Sequence, residues 1–233
     1  MGTSSDMDAL ILLHGLRFID SFFPSGGFAF SSGLEAAVQD GAVRNAEDLS
    51  QYVTDLLWGG LGAREGVAAR LGHRTAVTGR LDLAIAADRE LDAMKLGREG
   101  RLASKQMGRQ MMKAGDDGTA PAIVSRFARA LEDGRTPGHL PVCLGVLLGG
   151  RGWGAQATVA AFLYHSATGL LSAGLRLLPM GQQEAQRLLT GWLPVIEAVS
   201  HQASRTGSMA SAAPLHDIYG MRHGRLEWRL FRS

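Results

Sequence analysis

Asn45–Gly60 reads NAEDLSQYVTDLLWGG. Leu49, Tyr52, Val53, Leu56, Leu57 and Gly60 recur at the spacing of one α-helical face, and Asn45 stands where a side-chain oxygen caps a first turn. The spacing predicts a helix from Asn45 to about Gly60. Working outward, no proline occurs between Pro24 and Pro121, and the stretch is rich in Ala, Leu, Arg and Glu, which lose little on entering a helix. Gly62, Gly79, Gly97 and Gly115 divide it into expected helices near 63–78, 80–96 and 98–114. Upstream, a helix from about Asp8 to Ile19 leads into the turn Pro24-Ser25-Gly26-Gly27 and a short helix from Ser31 to Gln39, closed by Gly41. Beyond Pro121, helices are expected near 121–132, 141–150, 155–175 and 181–199, the last bent at Pro194. No alternating strand pattern of useful length is present. The expected fold class is all-α: a single-domain bundle of about nine or ten helices over residues 1–200.

Residues 201–214, HQASRTGSMASAAP, are small and polar without apolar periodicity and read as a flexible linker. Behind it, residues 215–233 mix Ile218, Tyr219, Met221, Leu226, Trp228, Leu230 and Phe231 with four arginines. Burying several of these apolar side chains would contribute about 1.5 to 3 kcal/mol each, so the tail is expected to dock, on its own domain or on a partner.

A chain of 233 residues can bury a core without staples, and its only cysteine, Cys143, permits no internal disulfide and no cysteine-built zinc site. That favours a reducing cytoplasm. Lysine and arginine number 24 against 22 acidic residues, a net charge of +2, too little for bulk nucleic-acid binding. The distribution is uneven: residues 1–60 carry two basic against eight acidic groups, residues 61–115 eleven against six. Solvated helix faces or electrostatic steering of a partner would each account for it. Asp6 and Asp8 precede the apolar run Leu10–Leu16, which is neither a secretory signal nor a membrane span. Between Arg151 and Arg176 no residue is charged, but Gln156, Thr158, His165, Ser166, Thr168 and Ser172 mark this stretch as a close-packed core helix.

Catalytic signatures are missing. No segment reads G-x-x-x-x-G-K-[ST], and Gly149–Gly154 does not meet the dinucleotide-binding spacing. The seven histidines form no H-x-x-x-H pair, so a zinc hydrolase is disfavoured, and His165 reads as a hydrogen-bonded core residue. G-x-S-x-G and S-x-x-K are absent, Cys143 lies in an apolar run as an inert filler, and Glu47-Asp48, Asp116-Asp117 and Glu132-Asp133 do not converge. A non-enzymatic protein is expected. A helical adaptor for an unrelated partner and an enzyme with a site composed at a dimer interface stand as the rival readings.

Against these absences, Phe23-Pro24-Ser25-Gly26-Gly27-Phe28-Ala29-Phe30-Ser31-Ser32-Gly33-Leu34-Glu35 resembles the N-terminal signature of the UreF family of urease accessory proteins. Further segments recur in the family's order: Gln106-Met107-Gly108-Arg109, His139-Leu140-Pro141-Val142, Arg176 to Gln182 with Gln186, Asp217-Ile218, Met221-Arg222-His223 and Arg229 to Ser233. Two departures stand out. Phe28 occupies a position where the family often has Tyr, so only ring packing remains there, and Gly224 follows the tail histidine where Glu is common.

The resemblance implies an all-helical homodimer that binds UreD (also called UreH), recruits and gates the GTPase UreG, and so supports lysine carbamylation and nickel insertion in apo-urease. It implies no cofactor of the chain's own; GTP, magnesium and nickel would belong to UreG. No nucleic acid and no membrane enter as partners. The implied partner-binding residues are Phe28, Glu35, Arg222, Arg229, Leu230, Phe231, Arg232 and Ser233. Among them, Glu35 matches a position linked to fidelity of urease activation, and Arg229 matches the arginine of UreG recruitment. Plainer roles stand beside these: Glu35 serving only its helix, Phe28 only packing, Arg229 only as a solvated charge. Removal of residues 216–233 is expected to spare the body and abolish UreD affinity.

Overall fold

The computed structural model describes residues 8–20, 23 and 26–232, and among these there is helix and no strand. The elements are α1 (Ala9–Ile19), α2 (Leu34–Gln39), α3 (Ala46–Leu56), α4 (Val67–Thr78), α5 (Leu81–Met94), α6 (Arg98–Gly115), α7 (Ala122–Glu132), α8 (Leu140–Gly150), α9 (Ala155–Leu177), α10 (Gln182–Arg205) and α11 (Pro214–His223). The fold is the expected all-α bundle. The turn residues Pro24 and Ser25, and Ser233 of the tail motif, lie outside the described residues.

Helix α3 starts as its sequence predicts: the Asn45 side chain accepts the Asp48 amide at 2.9 Å, and Leu49, Tyr52, Val53 and Leu56 face the core. The expected break at Gly62 is absent. A π-helical segment, Leu57–Gly66, joins α3 to α4 in one uninterrupted rod. Close packing explains why glycine is needed there: a Cβ at Gly62 would lie 2.2 Å from a Val199 methyl carbon, and one at Gly59 would lie 2.7 Å from the Ala212 carbonyl oxygen. Gly79, with φ of 71°, does end the helix as expected.

Helix α8 is the centre of the molecule, buried from Leu140 to Gly149. Helices α4 and α8 cross at backbone contact, since a Cβ at Gly145 would fall 2.1 Å from the Ala69 carbonyl oxygen and one at Gly72 would fall 2.5 Å from that of Val142. Gly145→Val is therefore expected to destabilise the fold by about 1 to 3 kcal/mol through overpacking, read as a lower urea midpoint at unchanged slope.

The uncharged stretch forms α9, and among the described residues no helix is long and apolar enough to cross a membrane. His165 is a core histidine whose Nδ1 lies 3.3 Å from the Ile19 carbonyl oxygen, and burial lowers its pKa against the effect of that bond. Cys143 is buried, and burial pushes its thiol well above the usual range. On the outer side, Trp153 fills the notch at Gly15 and donates from its indole to the Ile11 carbonyl at 3.0 Å, holding α1.

The stretch read as a flexible linker is packed. Residues 201–205 are the last turns of α10, and the following extended strap lies along the π segment. The amides of Ala210 and Ala212 donate to the carbonyls of Ala63 and Gly59 at 3.0 and 2.9 Å, with Met209 and Ala213 buried. Its residues are small because backbone approaches backbone here, at Gly59, and the strap satisfies carbonyls of the π turn.

Candidate functional site at the docked tail

Helix α11 begins on Pro214, which needs no amide partner at the first helical position, and packs across α2. Close approach is possible because Gly33 meets Gly220: a Cβ at Gly33, where φ is 86°, would lie 2.9 Å from the Gly220 nitrogen. The chain then turns at Gly224, and residues 225–232 return over the start of α2.

Glu35 is the hub of this contact. It is buried, with 2% exposure, and all of its described carboxylate bonds come from the tail. Its Oε1 accepts the Leu230 amide at 2.6 Å; its Oε2 accepts from His223 Nε2 at 2.8 Å and from the Phe231 amide at 3.1 Å. The other ring nitrogen of the fully buried His223, Nδ1, lies 2.8 Å from Glu99 Oε2 at the first turn of α6. Arg229 donates to Glu99 Oε1 at 2.9 Å, so four side chains run in series from Glu35 through His223 and Glu99 to Arg229. A Cβ at position 224 would lie 3.5 Å from the Glu99 carboxyl carbon, an ordinary van der Waals contact.

Aromatic stacking closes the same locus. The Arg176 guanidinium sits 4.2 Å from the Phe28 ring centroid and 4.0 Å from that of Phe231, and donates to the Phe28 carbonyl at 3.0 Å. Phe28 remains 72% exposed. The Arg232 amide donates to the Ala29 carbonyl at 2.8 Å, and Gln39 donates to the Trp228 carbonyl at 3.0 Å. Trp228, Leu230 and the Arg232 side chain face outward.

Phe28, Glu35, Arg229, Leu230, Phe231 and Arg232 are thus brought together. Arg222 points elsewhere, to Asp40 Oδ2 at 3.1 Å, which also accepts the Tyr219 hydroxyl at 3.2 Å. Sequence reasoning left out His223, Glu99 and Arg176 as site residues. His223 and Arg176 lie inside quoted motifs, whereas Glu99 carries only the faint signal of an acid opening a basic helix.

Two other motif segments, at Gly108-Arg109 and at His139, meet at the loop that leads into α8. Asp88, fully buried, accepts the Thr136 hydroxyl at 2.6 Å and the amides of Gly138 and His139 at 2.5 and 2.8 Å. Gly108 lets α6 pass that loop, since its Cβ would lie 2.3 Å from the Gly138 carbonyl oxygen, and Arg109 donates to the Pro137 carbonyl at 3.1 Å. Together they fix the start of α8.

Under α11 lies a cavity of about 550 Å³, walled in part by Arg64, Glu65, Lys95, His216 and Asp217. Burial alone would raise the Glu65 carboxyl, but Lys95, hydrogen-bonded to it, and Arg64 hold it below the ordinary carboxylate range. Arg64 also reaches Asp217 at 3.5 Å and Ser211 at 3.2 Å. These charges are matched to one another, and among the described residues no three His, Cys, Asp or Glu side chains are grouped to hold a metal ion.

What fold and site define is an all-α protein whose N-terminal signature and C-terminal tail form one composite surface. A family model described as UreF matches residues 43–192. The chain is 33% identical to the urease accessory protein UreF of Methylorubrum populi, over 97% of this chain and all of that one. It is 30% identical to that of Actinobacillus pleuropneumoniae over 94% and 97% of the two chains, and 29% identical to that of Yersinia enterocolitica over 97% and 100%. The chain belongs to the UreF family of urease accessory proteins.

Proposed function

We propose that this protein is a non-enzymatic maturation chaperone of urease: a cytoplasmic homodimer that binds UreD/UreH and recruits and gates UreG for nickel insertion into apo-urease. It carries no cofactor of its own; GTP, magnesium and nickel are handled by UreG. The observation that supports this reading is the gathering of Phe28, Glu35, Arg229, Leu230, Phe231 and Arg232 into one locus with an outward polar and apolar face. Such a face, with arginine, tryptophan and leucine side by side, has the chemistry of a protein-binding hot spot. Glu35 contributes to fidelity by fixing the tail, and Arg229 is the residue that UreG reads.

The Arg229 side chain is 41% exposed, so its pair with Glu99 adds little to stability. Arg229→Ala is expected to leave melting and dimerisation unchanged while weakening UreG capture by the UreD complex about tenfold in a pull-down titration. Arg229→Lys is also expected to fall short, because an ammonium lacks the guanidinium fork. Undiminished capture by the alanine variant overturns this reading.

A further inference from the structure

We propose that His223 is the positioning residue that couples the N-terminal signature to the C-terminal tail, holding Leu230 and Phe231 on Glu35 and thereby setting where Arg229 is presented. The inference rests on the partner-binding reading above and deepens it. Both ring nitrogens lie 2.8 Å from carboxylate oxygens, one on α2 and one on α6. Each ring nitrogen is placed on one carboxylate, Nε2 on Glu35 and Nδ1 on Glu99, so a single ring bridges the two helices. That makes the His223 ring the link between Glu35 and Glu99, at a point with no exposure to water. The tail contributes in two ways to the same carboxylate: through this ring and through two backbone amides. Loss of the ring leaves a buried carboxylate short of a hydrogen-bond partner, and a carboxylate in that condition regains water only by releasing the amides that cover it. The docked tail therefore depends on His223 although its ring touches no outward-facing surface. Glu35 and Arg229, which do not touch each other, act as parts of one device through His223 and Glu99.

The test is a double-mutant cycle of His223→Gln and Glu35→Gln in the full chain, read by amide hydrogen exchange at Leu230 and Phe231. Amides of α8 from Cys143 to Leu148 serve as the internal measure of the intact body. Each single variant is expected to speed exchange at Leu230 and Phe231 about tenfold or more, with α8 protection unchanged. The double variant is expected to stay within about threefold of the worse single one, because both act on the same link. Unchanged exchange in His223→Gln overturns the coupling, as do single effects that multiply. Should Gln at 223 lower α8 protection, His223→Asn is measured against the same criteria. UreG capture is measured in parallel. Faster tail exchange with undiminished capture supports the coupling while overturning the tail's role in recruitment, and slow exchange with lost capture does the reverse.

Discussion

Asp88→Ala is expected to cost about 3 to 5 kcal/mol of stability, the largest effect of any single polar substitution considered for this fold. The carboxylate is fully buried and accepts three donors from the loop that leads into α8: the Thr136 hydroxyl and the amides of Gly138 and His139. All three donors belong to buried residues, and each orphaned buried donor costs about 1 to 3 kcal/mol. The loop cannot relax outward, because Gly108 of α6 is packed against its backbone and Arg109 is bonded to Pro137. His139 is also tied to Asp92 through Nε2 at 3.0 Å, and burial lowers its pKa. Urea denaturation should show a marked fall in midpoint for the alanine variant and a smaller one for Asp88→Asn, whose remaining carbonyl oxygen still accepts. Equal midpoints for Asp88→Ala and the parent would show that the loop is held by packing alone.

That network also explains which parts of the molecule can be read from sequence. The core face of α3 was legible because Leu49, Tyr52, Val53 and Leu56 obey the helical period behind a capping Asn45, both local properties. Gly62 was misread for a non-local reason: glycine is a breaker when isolated, but here the missing side chain makes room for Val199 of α10. Residues 206–213 were misread in the same way. Small residues look like a solvated linker, yet these are small because the strap runs against the backbone of Gly59 and Ala63. Glu35 and Arg229 became candidates through family resemblance, and nothing local in the sequence joins them. Their connection runs through Glu99, which lies in no motif, and only the folding of α6 beside α11 brings that carboxylate to the His223 ring. Tertiary contact made the site; composition and period could not reveal it.

Removal of residues 216–233 is the second change expected to have a large effect, and the structure alters what the sequence led one to expect. The tail is part of the body's packing. Tyr219 and Phe231 are buried at 5% and 4% exposure, and at about 1.5 to 3 kcal/mol for each such side chain the truncation should cost about 3 to 6 kcal/mol. Glu35 would lose every donor the tail supplies, but it would also become hydrated, so its own cost is small once the cover has gone. Arg64 would lose Asp217 and keep Ser211 and Glu65, while the cavity would lose the part of its wall formed by His216, Asp217 and Gly220. The packing of α8 against α4 and α6 does not involve the tail, so helical content should survive. Far-UV circular dichroism of the truncated chain should keep its helical signal at 20 °C or so, its urea midpoint should fall, and its capture by UreD should be lost. A truncated chain as stable as the parent would mean that the tail adds nothing to the body's stability, and one that is wholly unfolded would mean that the tail, rather than α8, holds the core together.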